Sequence, residues 1–187
     1  RILVTFGGAD PDNVTLKIID ALDTLRLKNL EVKIIAGAAN THLKSIEERL
    51  ESVAFSGECL VGVDDMAAVM NWATLAVSAA GSTSWELAYM GVPSLLVILA
   101  ENQRALAEGM AEAGAAINCG WHHALQHEKL SSLLAELSTD SARLQAMGAA
   151  AKEAVDGLGA VRITNSILKK EIALRNIQPE DSRLIFH

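Results

Sequence analysis

The sequence predicts an α/β protein: a Rossmann-like open parallel sheet of about six strands with helices on both faces. Three observations predict it. Short apolar runs alternate with amphipathic stretches along the chain. The runs, such as ILVTF (2–6) and SLLVIL (94–99), show no polar alternation, as expected of parallel strands covered on both sides. The composition is 50% hydrophobic but only 4% aromatic, which suits Ala, Leu, Val and Ile packing helices on a sheet rather than an aromatic-rich sandwich.

Taken in order, ILVTFGG (2–8) is a buried strand that ends at two glycines. A helix follows, with Asp10 or Asp12 as cap, Pro11 suited to its first turn, and Val14, Ile18, Leu22 and Leu25 on one face. EVKIIAG (31–37) is the second strand, and THLKSIEERLES (41–52) a charged amphipathic helix with Thr41 as cap. VAFSGECLVG (53–62) is a weaker extended segment, and VDDMAAVMNWA (63–73) a short helix capped by Asp64 or Asp65. TLAVSAA (74–80) is a strand that leads into a helix over 82–90, stopped by Gly91. PSLLVILA (93–100) is a strand, NQRALAEGMAEAG (102–114) a helix ended by Gly114, and AAINCG (115–120) a last short strand. From Ala124 the pattern is helical, with a break at DGLGA (156–160). The tail ALRNIQPEDSRLIFH (173–187) has a strand-like start, then helix-start signals at Pro179 and Asp181. It reads as a linker and the opening of another domain, so the domain map is 1–172 followed by 173–187. The chain opens inside a strand without an initiator methionine, as a piece of a larger protein would.

The formal net charge of −7 leaves no sequence-wide basic footprint, and nucleic acid is not an expected partner. An anionic ligand must then be held by local amides and dipoles rather than bulk charge. Cys59 and Cys119 form no CxxC pair and have no histidines at metal-ligand spacing. They read as reduced, mostly buried thiols in a cytoplasmic setting. No metal and no cofactor is implied. The longest apolar run, near 93–100, is too short to span a bilayer.

Open parallel sheets take ligands at the carboxyl ends of their strands. There the chain carries GGADPDN, AGAANTH, VGVDDM, AAGSTSWE, LAENQ and CGWHH. Gly7 and Gly8 allow either a tight strand-to-helix turn or a close approach by a phosphate. The Gly81–Ser82–Thr83–Ser84 run offers amides and hydroxyls at a helix start, suited to a phosphate or diphosphate. Ordinary capping, with Ser82 or Thr83 as cap and Glu86 closing a capping box, accounts for one hydroxyl but not three. Glu86 either favours the helix dipole or accepts from ribose hydroxyls. Asn102 and Gln103 can read sugar hydroxyls or cap a helix. His122 and His123 are adjacent and diverge, a poor metal pair; His42 and His127 read as solvated on polar helix surfaces.

The ordered set GGADPDN, VGVDDMAAVM, SAAGSTSWELAYMGVPSLLV, ENQ and DGLGAVRI resembles the C-terminal half of a nucleotide-sugar hydrolase family. This is the UDP-2,4-diacetamido-2,4,6-trideoxy-β-L-altropyranose hydrolase family of pseudaminic acid synthesis, also known as spore-coat polysaccharide biosynthesis proteins. The stretch is similar, too, to the nucleotide-binding half of the UDP-N-acetylglucosamine transferase of peptidoglycan synthesis, which has the GT-B fold. The resemblance covers about residues 1–172. It implies that Gly7 and Gly8 let the loop approach a diphosphate, that Val63 reads uracil through its backbone, that Gly81, Ser82 and Thr83 hold the diphosphate, that Glu86 holds the ribose, and that Asn102 and Gln103 face the sugar. It implies a UDP-sugar and a missing N-terminal domain of the same protein as partners. The family's proposed catalytic histidine lies in that N-terminal domain, so no catalytic residue is assigned and the chain by itself is expected not to turn over. The tail resembles the start of a GNAT-type acetyltransferase domain. A glycosyltransferase with the same half-site, and a non-enzymatic Rossmann-like interaction module, are the competing readings.

Overall fold

A computed structural model describes residues 1–27 and 29–175, with side chains described as far as residue 169. Two units separate at Val155 and Asp156. In the first, six strands, β1 (Ile2–Thr5), β2 (Glu31–Ala36), β3 (Ser56–Val61), β4 (Leu75–Ala79), β5 (Ser94–Ile98) and β6 (Ala116–Trp121), form one sheet in the order β3-β2-β1-β4-β5-β6. Every pairing is parallel; Val4 lies opposite Ile34 on one side and Val77 on the other. The expected sheet is thus present, with all six strands where the apolar runs put them.

The helices are α1 (Val14–Asp23), α2 (Leu43–Leu50), α3 (Met66–Trp72), α4 (Thr83–Met90), α5 (Arg104–Glu112), α6 (His127–Thr139) and α7 (Ser141–Ala154). They cover both faces because successive strand residues point to opposite sides. Ile2, Val4 and Phe6 join Val14, Ile18 and Leu22 of α1, Ile46 of α2 and Leu134 of α6 in one cluster. Leu3 turns the other way, onto Val69 and Met70 of α3 and Leu87 of α4. Leu96 and Ile98 extend that second layer under Ala88, Ala107, Met110 and Ala151. Helix α7 sits so close to the end of α4 that a Cβ on Gly148 would lie 2.6 Å from the Gly91 carbonyl oxygen. Gly91 itself takes φ 72°, the left-handed stop that ends α4 as expected.

Local details differ from the sequence reading. Helix α1 ends at Asp23, so Leu25 lies beyond it, in the turn that follows. Thr41 does not cap α2: the Asn40 side chain accepts from the His42 amide at 2.7 Å instead. The helical tract after Ala124 breaks a second time at Asp140, whose carboxylate accepts from the Arg143 amide at 2.9 Å and starts α7 afresh. In the second unit, α8 (Gly159–Arg175) runs through Ala173–Arg175, where a strand-like start was expected; Ala, Leu and Arg are strong helix formers that simply prolong it. The remainder of the tail, 176–187, with the acetyltransferase resemblance, lies outside the described residues.

Candidate functional site

Strand order reverses between β1 and β4, and the loops leaving β1, β4 and β5 stand side by side at the carboxyl edge. Gly7 leaves β1 with φ 77°, and nothing within 4 Å faces a Cβ placed on Gly7 or Gly8. The space over both glycines is open. The loop then turns through two non-glycine residues in the left-handed region, Asp10 at φ 41° and Asn13 at φ 46°. Buried Asp10 holds this shape by accepting from the amides of Val14 and Thr15, each at 2.9 Å. Of the two caps considered, Asp10 is the one used.

The hydroxyl-rich turn divides into a structural part and an open part. Ser84 is buried and its hydroxyl donates to the Ala79 carbonyl at 3.1 Å, tying α4 back to β4. Ser82 occupies the cap position with no side-chain capping bond, so the capping box weighed as the alternative to an anion site is not formed. Among the described residues the amides of Gly81, Ser82 and Thr83 find no backbone acceptor, whereas those of Ser84 and Trp85 turn back to Gly81 and Ser82 at 3.0 Å. Three amides and two hydroxyls are therefore free at the N-terminus of an eight-residue helix, the arrangement that suits an anion. Glu86 is exposed in the first turn.

On β5's side, Gln103 is anchored: its Oε1 accepts from the Leu99 amide at 2.9 Å. That leaves its Nε2 as a donor 3.8 Å from the position of a Cβ on Gly81. Asn102 is exposed, while its neighbour Glu101 is paired with Arg104 at 2.7 Å. Val63 follows β3 and packs its side chain against the cluster formed by Leu3, Val69, Met70 and Leu87. Gly81–Glu86 and Gln103 are thus brought together, Gly7 and Gly8 flank them on the neighbouring strand, and Val63 stands further along the same edge.

The His122 and His123 rings meet edge to face, with centroids 5.2 Å apart, and no cluster of three metal-ligating side chains exists among the described residues. His42 departs from the expectation of a solvated residue. It is half-buried and its Nε2 lies 3.2 Å from the Pro11 carbonyl oxygen. Burial pushes the Cys119 thiol up to about 11 and raises that of Cys59 as well, so neither is a poised nucleophile. A cavity of about 380 Å³ opens at the amino ends of β1 and β4, opposite the loops. Ile2, Leu75, Leu134 and Leu137 line its apolar side, and Arg1, Thr74 and Thr139 are among its polar lining.

Residues 1–161 match the model of the glycosyltransferase family 28 C-terminal domain. The chain belongs to this family. It is 28% identical to the spore coat polysaccharide biosynthesis protein SpsG of Bacillus subtilis over 88% of the chain and 48% of that protein. It is 33% identical to the UDP-N-acetylglucosamine–N-acetylmuramyl-(pentapeptide) pyrophosphoryl-undecaprenol N-acetylglucosamine transferase of Ectopseudomonas mendocina, over 81% of the chain and 44% of that protein. This family 28 chain therefore spans about half the length of the curated relatives it matches. Among solved structures, Acinetobacter baumannii MurG superposes with a TM-score of 0.80 at 23% identity, covering 90% of the chain and 49% of MurG. The S. aureus MnaA–UDP co-structure superposes at 0.72 with 20% identity, over 95% and 47%. Both show the fold: the C-terminal half of a GT-B protein. No described helix is long and apolar enough to cross a membrane.

Proposed function

We propose that this chain binds the UDP end of a nucleotide sugar and stabilises UDP as it leaves the anomeric carbon. The observation that carries the reading is the set of unpartnered amides and hydroxyls at Gly81–Thr83 beside the open glycines of β1. Negative charge develops on the departing diphosphate, and fixed donors at a helix N-terminus stabilise it without reorganising. Glu86 accepts from the ribose hydroxyls, Val63 meets the uracil through its backbone, and Asn102 with the anchored Gln103 faces the sugar. The residues of this site all lie in the first unit, Arg1–Val155; the nucleotide-sugar domain of 1–172 takes in most of α8 as well, and 173–187 lead on to a following domain. An N-terminal half of the same protein completes the cleft and supplies the catalytic base.

The incoming group distinguishes two reactions. With water, the protein is a hydrolase of a modified amino sugar in surface polysaccharide or pseudaminic acid synthesis, as the ordered motifs suggest. With an acceptor hydroxyl it is a glycosyltransferase, which the family 28 match and the named transferase relative favour. Release of UDP by the full-length protein in the absence of any acceptor supports hydrolysis; an absolute need for an acceptor supports transfer. The half-site itself is tested by titrating this chain with UDP while following amide shifts, with AMP and inorganic phosphate as controls. Saturable shifts at Gly8, Val63 and Ser82–Glu86, specific to UDP and weakened at least about five-fold by Glu86→Ala, are the expected result. Equal shifts with AMP, or an unchanged affinity in Glu86→Ala, sink the uridine and ribose assignments.

A further inference from the structure

A segment outside every residue assigned to the ligand touches the β1–α1 loop at two separate points. At one end, a Cβ on Gly37 would lie 2.3 Å from the Gly8 Cα and 2.3 Å from the Gly8 carbonyl oxygen. These are backbone atoms with no rotamer to yield. Gly37 is not among the glycines with positive φ, so space rather than backbone conformation demands a glycine there. At the other end, His42 Nε2 lies 3.2 Å from the Pro11 carbonyl oxygen. A carbonyl only accepts, so Nε2 carries the proton and donates. The two ends form one unit: the Asn40 amide donates to the Gly37 carbonyl at 3.0 Å, and the buried Asn40 side chain accepts from the His42 amide at 2.7 Å.

The loop held in this way is the one that turns through the left-handed region at Asp10 and Asn13. Asp and Asn enter this region more readily than other non-glycine residues, and here local bonds and neighbours hold them in it. Asp10 imposes it from within the loop, and 37–42 from outside. We propose that the 37–42 turn is a brace for the glycine loop. Gly37 lets Gly8 settle against β2, and His42 straps the far end at Pro11. The turn positions the open amides at Gly7 and Gly8 for an anion without touching the anion itself. The inference rests on the reading that this loop receives the diphosphate; both residues are positioning residues.

The test uses this chain with Gly37→Ala, His42→Ala and His42→Gln, the last keeping a donor near the imidazole Nε2. Without ligand, His42→Ala speeds amide exchange at Asn13, Val14 and Thr15 by about three- to ten-fold, and His42→Gln returns it to within about two-fold of the parent. Gly37→Ala moves the amide resonances of Gly7 and Gly8 and leaves those of Gly81–Glu86 in place. With UDP, affinity falls about ten-fold in Gly37→Ala and about three-fold in His42→Ala, and His42→Gln binds like the parent. Unchanged exchange in His42→Ala together with unmoved Gly8 in Gly37→Ala overturns the brace, whatever UDP does. A displaced loop with unchanged UDP affinity overturns the positioning role. A parent chain that binds no UDP removes the ligand reading instead, and the ligand-free measurements then decide the brace alone. If Gly37→Ala does not fold, the His42 pair carries the test, with thermal midpoints as the folding control.

Discussion

Replacing Asp10 by alanine removes both oxygens that cap α1. Asp10 is 2% exposed, and each of its carboxylate oxygens takes one backbone amide at 2.9 Å. Hydrogen bonds to a charged group contribute about 1.5–3 kcal/mol apiece, and whole-cap losses run at about 0.5–2 kcal/mol where water can reach the freed amides. Burial places this cap at the upper end, and a loss of about 3 kcal/mol follows. Alanine must also hold the φ of 41°, which costs roughly 1 kcal/mol more than glycine there. Asparagine keeps one acceptor oxygen and tolerates the left-handed region. The expected order of stability is parent, then Asp10→Asn, then Asp10→Gly, then Asp10→Ala. Urea unfolding followed by tryptophan fluorescence measures it, and for a domain of this size the combined loss of about 4 kcal/mol lowers the melting temperature of the alanine variant by roughly 8–16 °C. An alanine variant within about 0.5 kcal/mol of the parent, or one more stable than the glycine variant, refutes both the cap and the strain argument.

Asp23 gives a pH signature. The Ala54 amide and the Arg49 guanidinium hold its carboxyl below the ordinary value of 3.8. A depressed carboxylate contributes stability that is complete above the unfolded value and is lost as pH falls through the folded one. Acid unfolding below about pH 4 is therefore shallower in Asp23→Asn than in the parent, as chemical denaturation at pH 7 and pH 3 will show. The two serines of the hydroxyl-rich turn separate function from fold. Ser84→Ala lowers stability by about 1 kcal/mol, because the bond to Ala79 is lost, whereas Ser82→Ala leaves the melting temperature within about 1 °C and weakens UDP binding. Cys119, with its thiol pushed up to about 11, reacts with iodoacetamide at pH 8 at less than about a tenth of the rate seen in urea, as mass spectrometry over time would record.

The central strands β1, β4 and β5 were legible because burial on both faces leaves an almost unbroken apolar run. Val4, Val77 and Leu95 sit in runs that no other element explains, and Gly91 and Gly114 mark their helix stops by residue type alone. Asp140 was not legible: one acidic residue between two helical patterns reads as a solvated face until its carboxylate is seen on the Arg143 amide. Thr41 reads as the cap of α2 in the sequence, yet Asn40 is the residue whose side chain meets an amide. In the turn after β4, sequence supplied the hydroxyls but not their division of labour; that depends on Ser84 facing inward while Ser82 faces out. Gly37 and His42 escaped because their partners, Gly8 and Pro11, are about thirty residues away and backbone atoms leave no trace in side-chain patterns.

The contact between Gly148 and Gly91 has a consequence for recombining relatives. The eight residues of α4 span about 12 Å, with the hydroxyl-rich turn at one end and the α7 contact at the other. A chimera that imports the 81–91 stretch from one homologue and keeps α7 from another must match small residues at both 91 and 148. A methyl group at 148 would push against the Gly91 carbonyl, and one at 91 would have to hold a φ of 72°; the short rod would carry the first displacement to its opposite end. The heritable unit of this half-site is therefore two helices far apart in sequence, and exchanges that respect only the loop will give folded proteins with a misplaced cradle.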